Sequence, residues 1–176
     1  MVRPILLYPD PILKRVCSPL DWRDGEAQSL CQDLLDTMRA SPGVGLAAPQ
    51  IGLALRAIVV DVTPKQPGHG LLLLLNPKLV SGEGRVTGRE GCLSIPEYTA
   101  NVARHERVVI EATEVDGKVS TIESTGFEAI CLQHELDHLE GILFLDRVSS
   151  LKTDVFPRKG VARRSELEAT LARLQS

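Results

Sequence analysis

Aromatic side chains are scarce in this chain, with one tryptophan, two tyrosines and three phenylalanines in 176 residues, so its core has to be mostly aliphatic. No apolar run reaches the length needed to span a bilayer, which argues against a membrane helix. The opening Met1-Val2-Arg3-Pro4-Ile5-Leu6-Leu7-Tyr8-Pro9-Asp10 meets a proline and an acid too early for a secretory signal and does not read as a basic amphipathic leader. A cytoplasmic protein is expected. Cys17, Cys31, Cys92 and Cys131 lie far apart and form no Cys-x-x-Cys pair, so neither a zinc ribbon nor a disulfide framework is signalled. In a reducing compartment they are free thiols unless a metal claims one. The formal net charge of -3 speaks against a surface built as a whole for nucleic acid. Internal repeats, low-complexity tracts and linkers are also missing, which predicts a single catalytic domain over 1–176 with residues 151–176 as a C-terminal helical extension. At this length a domain buries roughly two thirds of its unfolded surface, so no metal is needed to hold it together.

What is present alternates between helical and strand patterns. Ala27, Leu30, Cys31, Leu34, Leu35 and Met38 fall at helical spacing and predict an amphipathic helix from about Glu26 to Ala40, with Cys31 in the core. Ser41-Pro42-Gly43 stops it, and a loop rich in small residues follows through Gly52. Strand-like runs cover Ala57 to Val62, Leu71 to Leu75, and Arg107 to Val115, the last joined through Asp116-Gly117 to Val119 to Glu123 as a hairpin. Thr125-Gly126-Phe127-Glu128 has the form of a capping box opening a second helix, which Gly141 closes. A last helix is expected from about Ser165, with Leu167, Leu171 and Leu174 on one side. The expected architecture is α+β: small antiparallel or mixed sheets around a central motif helix, with an N-terminal and a C-terminal helix.

The chemistry concentrates in Gln133-His134-Glu135-Leu136-Asp137-His138. Two histidines four apart share one helix face and can reach a single cation, while Glu135 stands beside them as a base that need not be a ligand. Phe127, Ile130 and Cys131 lie seven, four and three residues before His134, so the histidines continue an apolar stripe inward. Buried imidazoles beside a carboxylate need partners, and a metal supplies them. A hydrolytic metal takes a third protein ligand, and Leu139-Glu140-Gly141-Ile142-Leu143-Phe144 gives no HExxHxxGxxH continuation. The residues alone leave His69, His105, the acids and the cysteines as candidates. Cys92, within Glu90-Gly91-Cys92-Leu93-Ser94-Ile95-Pro96, has the sharpest local context and reads as part of an exposed tight turn; a buried small hydrophobe is the plainer alternative.

Three segments in order, Gly43-Val44-Gly45-Leu46-Ala47-Ala48-Pro49-Gln50, Glu90-Gly91-Cys92-Leu93-Ser94 and Gln133-His134-Glu135-Leu136-Asp137-His138, resemble the signature motifs of the peptide deformylases. The likeness runs from Tyr8-Pro9-Asp10 to Phe144-Leu145-Asp146. It implies that Cys92, His134 and His138 hold one divalent metal, ferrous iron in the family's usual form, with zinc, nickel or cobalt accepted by the same ligands. The implied reaction removes the formyl group from N-formylmethionine of newly made polypeptides and releases formate. Glu135 would be the general base, with the Gln50 amide and the Leu93 backbone N–H stabilising the oxyanion. Val44, Phe127, Ile130 and Cys131 would line the methionine slot, Gly43 and Gly45 would let the substrate backbone approach, and Glu90 would pair with Arg104 in support of the ligands. One position departs: Thr99 stands where certain members carry an arginine.

The resemblance also implies a monomer acting on nascent chains. The basic stretch Lys152, Arg158, Lys159, Arg163 and Arg164 reads either as a solvated helix end or as a ribosome contact; in the latter case deletion after Ser150 weakens ribosome pelleting and spares activity on short peptides. Two rivals are a zincin-like endopeptidase, disfavoured by the missing downstream ligand, and a binding module in which the metal only staples the fold. Glu135 separates these, since a closed structural site has no use for a non-ligating carboxylate.

Overall fold

The computed structural model describes residues 1–158 together with Ala169, Ala172 and Arg173. Helix α1 covers Gly25–Arg39, close to the span its apolar stripe predicts. Strands β1 (Gly45–Ala47), β2 (Ala57–Val60), β3 (Leu72–Glu83), β4 (Val86–Cys92), β5 (Ile95–Arg104), β6 (Arg107–Thr113) and β7 (Val119–Thr125) follow. Helix α2 spans Gly126–Leu139, and a short β8 covers Val155–Pro157. The expected α+β layout around the motif helix is present, and both sheets are antiparallel: five strands in the order β1-β2-β3-β6-β7 and three in the order β4-β5-β8.

Strand composition follows from which faces are covered. Strand β2 is buried throughout because it lies between two helices: Ile58 and Val60 join the cluster holding Leu132, Leu136 and Leu139 of α2, while Ala57 and Val59 join Leu30 and Leu34 of α1. It therefore reads as a continuous apolar run. Strand β6 has one covered face, and Val108, Ile110 and Ala112 are buried between exposed Arg107 and Glu111. The hairpin between β6 and β7 turns at Asp116-Gly117 as its sequence predicts, with the Glu114 N–H donating to the Lys118 carbonyl at 2.8 Å.

The structure departs from the expectations at four points. Strand β3 runs on past Leu75 to Glu83, although Asn76-Pro77 has the look of a turn; the register shifts between Leu75 and Lys78, Asn76 takes a φ of 48°, and its side chain bonds the N–H and carbonyl of Leu20 at 3.0 and 2.8 Å. The proline thus sits in a bulge, where a strand tolerates it. Cys92 does end a strand at a tight turn, but it is buried and not exposed. The capping box does not form: Thr125 makes no side-chain cap bond, and Glu128 instead accepts from Ser124 Oγ at 2.8 Å and the His69 N–H at 2.7 Å, donors offered from outside the helix. The expected helical extension begins with β8, which pairs with β5. A cut after Ser150 would therefore remove a strand. The rest of that expected helix from about Ser165 lies outside the described residues, apart from Ala169, Ala172 and Arg173, which are helical.

Helix α2 is buried along nearly its whole length, polar residues included. Ala129, Leu132, Leu136 and Leu139 pack on the five-stranded sheet, and truncating one such leucine to alanine costs about 2–5 kcal/mol. His134, Asp137 and His138 turn toward the three-stranded sheet, where Phe144 lies against the His134 ring with centroids 6.1 Å apart. Gly141 ends the helix with a φ of 70°, and a side-chain carbon there would come within 2.5 Å of the Lys14 carbonyl oxygen. Both constraints demand glycine.

Candidate active site

Strand β4 and helix α2 bring their polar residues to one place. His134 and His138, one turn apart, have ring centroids separated by 5.1 Å. Cys92 reaches them because β4 ends there, reversing through Leu93-Ser94 so that Cys92 pairs with Ile95. Its Sγ lies 3.4 Å from His138 Nε2, and one donor atom from each of Cys92, His134 and His138 lies within 4.8 Å of the others. All three are buried.

Glu90, two residues before Cys92 on the same face of β4, meets His134 Nδ1 at 2.9 Å. That contact draws a proton to Nδ1 and fixes the orientation of the ring. Arg104 donates to both Glu90 oxygens at 2.9 Å and to Asp137 at 2.6 Å, and Arg147 donates to Asp137 at 3.0 and 2.8 Å. Burial disfavours a charged Glu90, yet the bonds from His134 and Arg104 hold it below the usual glutamate range. Burial also works against charge on both imidazoles. At His138 it prevails and lowers the pKa well below the usual value; at His134 the bonds to Cys92 and Glu90 outweigh it and raise the pKa well above. Cys92, His134 and His138 thus converge on one point as a set of buried donors that a divalent cation would share. A thiolate with two imidazoles suits iron, zinc, nickel and cobalt alike.

Glu135 faces the same space from the next helix position. Its Oε2 is buried without a hydrogen-bond partner, and burial pushes its carboxyl up to about 7 against the pull of His134 and Arg104. Gly45 of β1 leaves room for it: a carbon built on Gly45 would come within 2.5 Å of Glu135 Oε1. Gln50, in the turn Ala48–Ile51, has its amide oxygen held by the Ala47 N–H at 3.0 Å, which points its NH2 toward Ser94 Oγ at 3.1 Å and Cys92 Sγ at 3.6 Å.

These residues floor a cleft of about 490 Å³ whose walls include Gly43, Val44, Gly45, Leu93, Phe127, Ile130 and Cys131. Every site residue expected from the sequence thus lies at the cleft or directly behind it, as Arg104 and His138 do. Burial pushes the Cys131 thiol up to about 12, which makes it an apolar wall and no nucleophile. The other candidate ligands lie elsewhere: His69 pairs with Glu128, the His105 backbone is clamped by Gln133, and Cys17 and Cys31 belong to the two packed cores. Sequence reasoning did not reach Ser94, Asp137 and Arg147 behind the ligands, or Lys65, Arg89 and Arg158 at the rim. Asp137 was signalled only by lying within the motif and Arg158 only as part of the basic C-terminal stretch; Arg147 carried no local signal.

A converging Cys-His-His set, an unpaired carboxylate beside it and an apolar-walled cleft in front define a metal-dependent hydrolase. The family model for polypeptide deformylase matches residues 2–154, and the chain belongs to that family. It is 44% identical over 165 residues to the peptide deformylase of Syntrophobacter fumaroxidans, covering 94% of this chain and 97% of that one. The crystal structure of a peptide deformylase from Legionella pneumophila superposes with a TM-score of 0.82 at 37% identity, over 99% of this chain and 96% of that one. A class I type b peptide deformylase from Acinetobacter baumannii, solved with Met-Ala-Ser bound, gives 0.80 at 31% identity over 84% and 99%. Among the described residues, no helix is long and apolar enough to cross a membrane.

Proposed function

We propose that this chain acts as a single catalytic domain that removes the formyl group from N-formylmethionine of newly made polypeptides, releasing formate. Cys92, His134 and His138 would hold one divalent cation, with ferrous iron expected in the cell and zinc, nickel or cobalt accepted. Such a cation, when bound, polarises the formyl carbonyl and makes water more acidic. Glu135 takes a proton from the attacking water as its oxygen bonds to the formyl carbon; when the carbon–nitrogen bond breaks, the same carboxyl hands the proton to the departing amine. A carboxylate whose Oε2 has no hydrogen-bond partner of its own is available for both transfers.

The Gln50 amide, already oriented by Ala47, and the Leu93 N–H receive the developing oxyanion. Val44, Phe127, Ile130 and Cys131 seat the methionine side chain, and Gly43 and Gly45 admit the peptide backbone. Glu90 and Arg104 fix the His134 ring. The observation that carries the reading is the unpaired Glu135 Oε2 beside the donor set, which neither a structural metal site nor a packed core has reason to keep. The relative solved with Met-Ala-Ser supports a methionyl peptide as the ligand class.

We place the activity in the cytoplasm, with the protein as a monomer. Contact with the ribosome through the basic C-terminal stretch is tested by truncation after Arg158, which leaves β8 in place; unchanged ribosome pelleting at low salt would exclude it. The activity itself is tested by formate release from a short N-formylmethionyl peptide, using protein purified without oxygen and loaded with ferrous iron. Turnover that fails on the N-acetyl analogue is expected. No formate from a folded, loaded sample would overturn the assignment.

A further inference from the structure

The rim of the catalytic cleft carries three cations, Lys65, Arg89 and Arg158, while among the described residues the only carboxylates lining the cleft are the deeply buried Glu90 and Glu135. In a chain of net charge -3 this is a local reversal of sign. Glu90 is already matched by Arg104 and His134, so it offers the rim no compensation. Lys65 lies in the loop between β2 and β3, and its charge is felt inside the cleft, where it draws the Cys131 thiol downward against the burial that raises it.

The two arginines are held in place without being neutralised. Arg89 of β4 stacks its guanidinium 3.7 Å from the centre of the Phe156 ring and donates from Nε to Asn101 at 3.1 Å; both partners are uncharged. Arg158 follows β8, anchored by its backbone N–H on the Glu97 carbonyl at 2.7 Å. Its Nη2 stands so close over Gly91 that a carbon built there would come within 2.6 Å of it and 3.6 Å of Thr99. Pairing of Thr99 with Gly91 on one side and Phe156 on the other brings these groups together. None of the three cations makes an ion pair with a described carboxylate. The two arginines are oriented charges without an anionic partner, and oriented guanidinium groups match carboxylates.

We propose that Lys65, Arg89 and Arg158 form a specificity surface for acidic substrates, so that aspartate or glutamate at the residues following the formylated methionine is favoured over lysine. The proposal rests on the deformylase reading and names its preferred substrate class. A peptide whose methionine fills the apolar part of the cleft has to leave across this rim, where the cations act on its next side chains. Because the rim is open to solvent, the effect lies in binding and encounter and fades with salt.

The test compares kcat/KM for C-terminally amidated formyl-Met-Glu-Ala, formyl-Met-Gln-Ala and formyl-Met-Lys-Ala on the iron-loaded protein at low and high ionic strength. Amidation removes the terminal carboxylate as a competing source of the same chemistry. The glutamate peptide is expected to lead the lysine peptide by about fivefold at low salt, the size that exposed charge pairs support, with the difference in KM and not in kcat. It should shrink at high salt. Arg158→Glu should invert the order, and Lys65→Glu, at an exposed loop position that carries no packing, should narrow it. Equal values for the three peptides in an active enzyme would overturn the proposal alone. Formate from none of them would overturn the deformylase reading and the proposal together.

Discussion

Glu90 and His134 are joined at 2.9 Å through the ring nitrogen that faces away from Cys92, so the orientation of one histidine of the donor set is decided on a neighbouring strand. The fixing is relayed outward, since Arg104 grips both Glu90 oxygens and Asp137, and Arg147 grips Asp137 from the other side. A helix residue and a strand residue that share no local sequence are thereby held as one unit.

Glu90→Gln keeps the shape and removes the charge, leaving Arg104 with less than its full complement and His134 with a weaker acceptor. Metal retention is expected to fall about 10- to 100-fold, in line with the loss of an outer carboxylate on a ligating histidine. Competition with a chelator, using cobalt or nickel as the probe metal, measures it. Retention equal to that of the unmodified protein would show that the ring needs no such partner.

Glu135→Gln should leave metal content and unfolding temperature close to their original values, because the Oε2 it alters has no partner to lose. Turnover is expected to drop by about 10²- to 10⁴-fold, the span of general acid–base catalysis. Formate release and metal analysis on the same preparation check both halves; an active variant would remove Glu135 as the base.

Gly45→Ala places a carbon 2.5 Å from Glu135 Oε1, and the carboxylate has to move. A displacement near 1 Å at a reacting group costs about 100-fold in rate, so kcat is expected to fall on that scale while the protein stays folded by circular dichroism. Gly25→Ala, where an added carbon meets nothing within 4 Å, serves as the control and should leave kcat unchanged.

Glu128 gives a pH dependence of stability with a definite sign. Burial raises its pKa, but the His69 N–H, the His69 ring and Ser124 outweigh burial and leave it below the ordinary value of 4.5. A depressed carboxylate stabilises the fold above its unfolded pKa and loses that contribution as the pH falls through the folded value. Urea unfolding of the unmodified protein and Glu128→Gln should therefore differ by about 1–2 kcal/mol at neutral pH, begin to converge as the pH falls through about 4.5, and meet below the lower folded value. A gap that persists in acid would assign the stabilisation to packing.

Much of the fold was legible wherever burial follows a period. The stripe from Ala27 to Met38, the apolar run of β2 and the alternating hairpin of β6 and β7 each record which faces are covered. Strands β4 and β5 were not legible, because some of their inward positions hold Glu90 and Arg104, a buried ion pair that reads as solvent-facing polarity until both partners are seen. The capping box at Thr125 was a local rule overridden by tertiary donors to Glu128. At the site, the His134 and His138 spacing spoke for itself, whereas Cys92 had the sharpest local context among several candidates and became the third ligand only through resemblance to relatives. Thr99 left contacts beyond the first substrate residue open; in the structure Arg89 and Arg158 flank it from β4 and beyond β8, an arrangement set by strand pairing and not by the residues next to Thr99.

Helix α2 lies between two sheets with ten of its residues buried, and it carries two of the three donors and the base. An element so enclosed has no route to local fraying. Its central amides should rank among the last in the molecule to exchange with heavy water, and the catalytic assembly should vanish only in the same cooperative event that dissolves the whole fold.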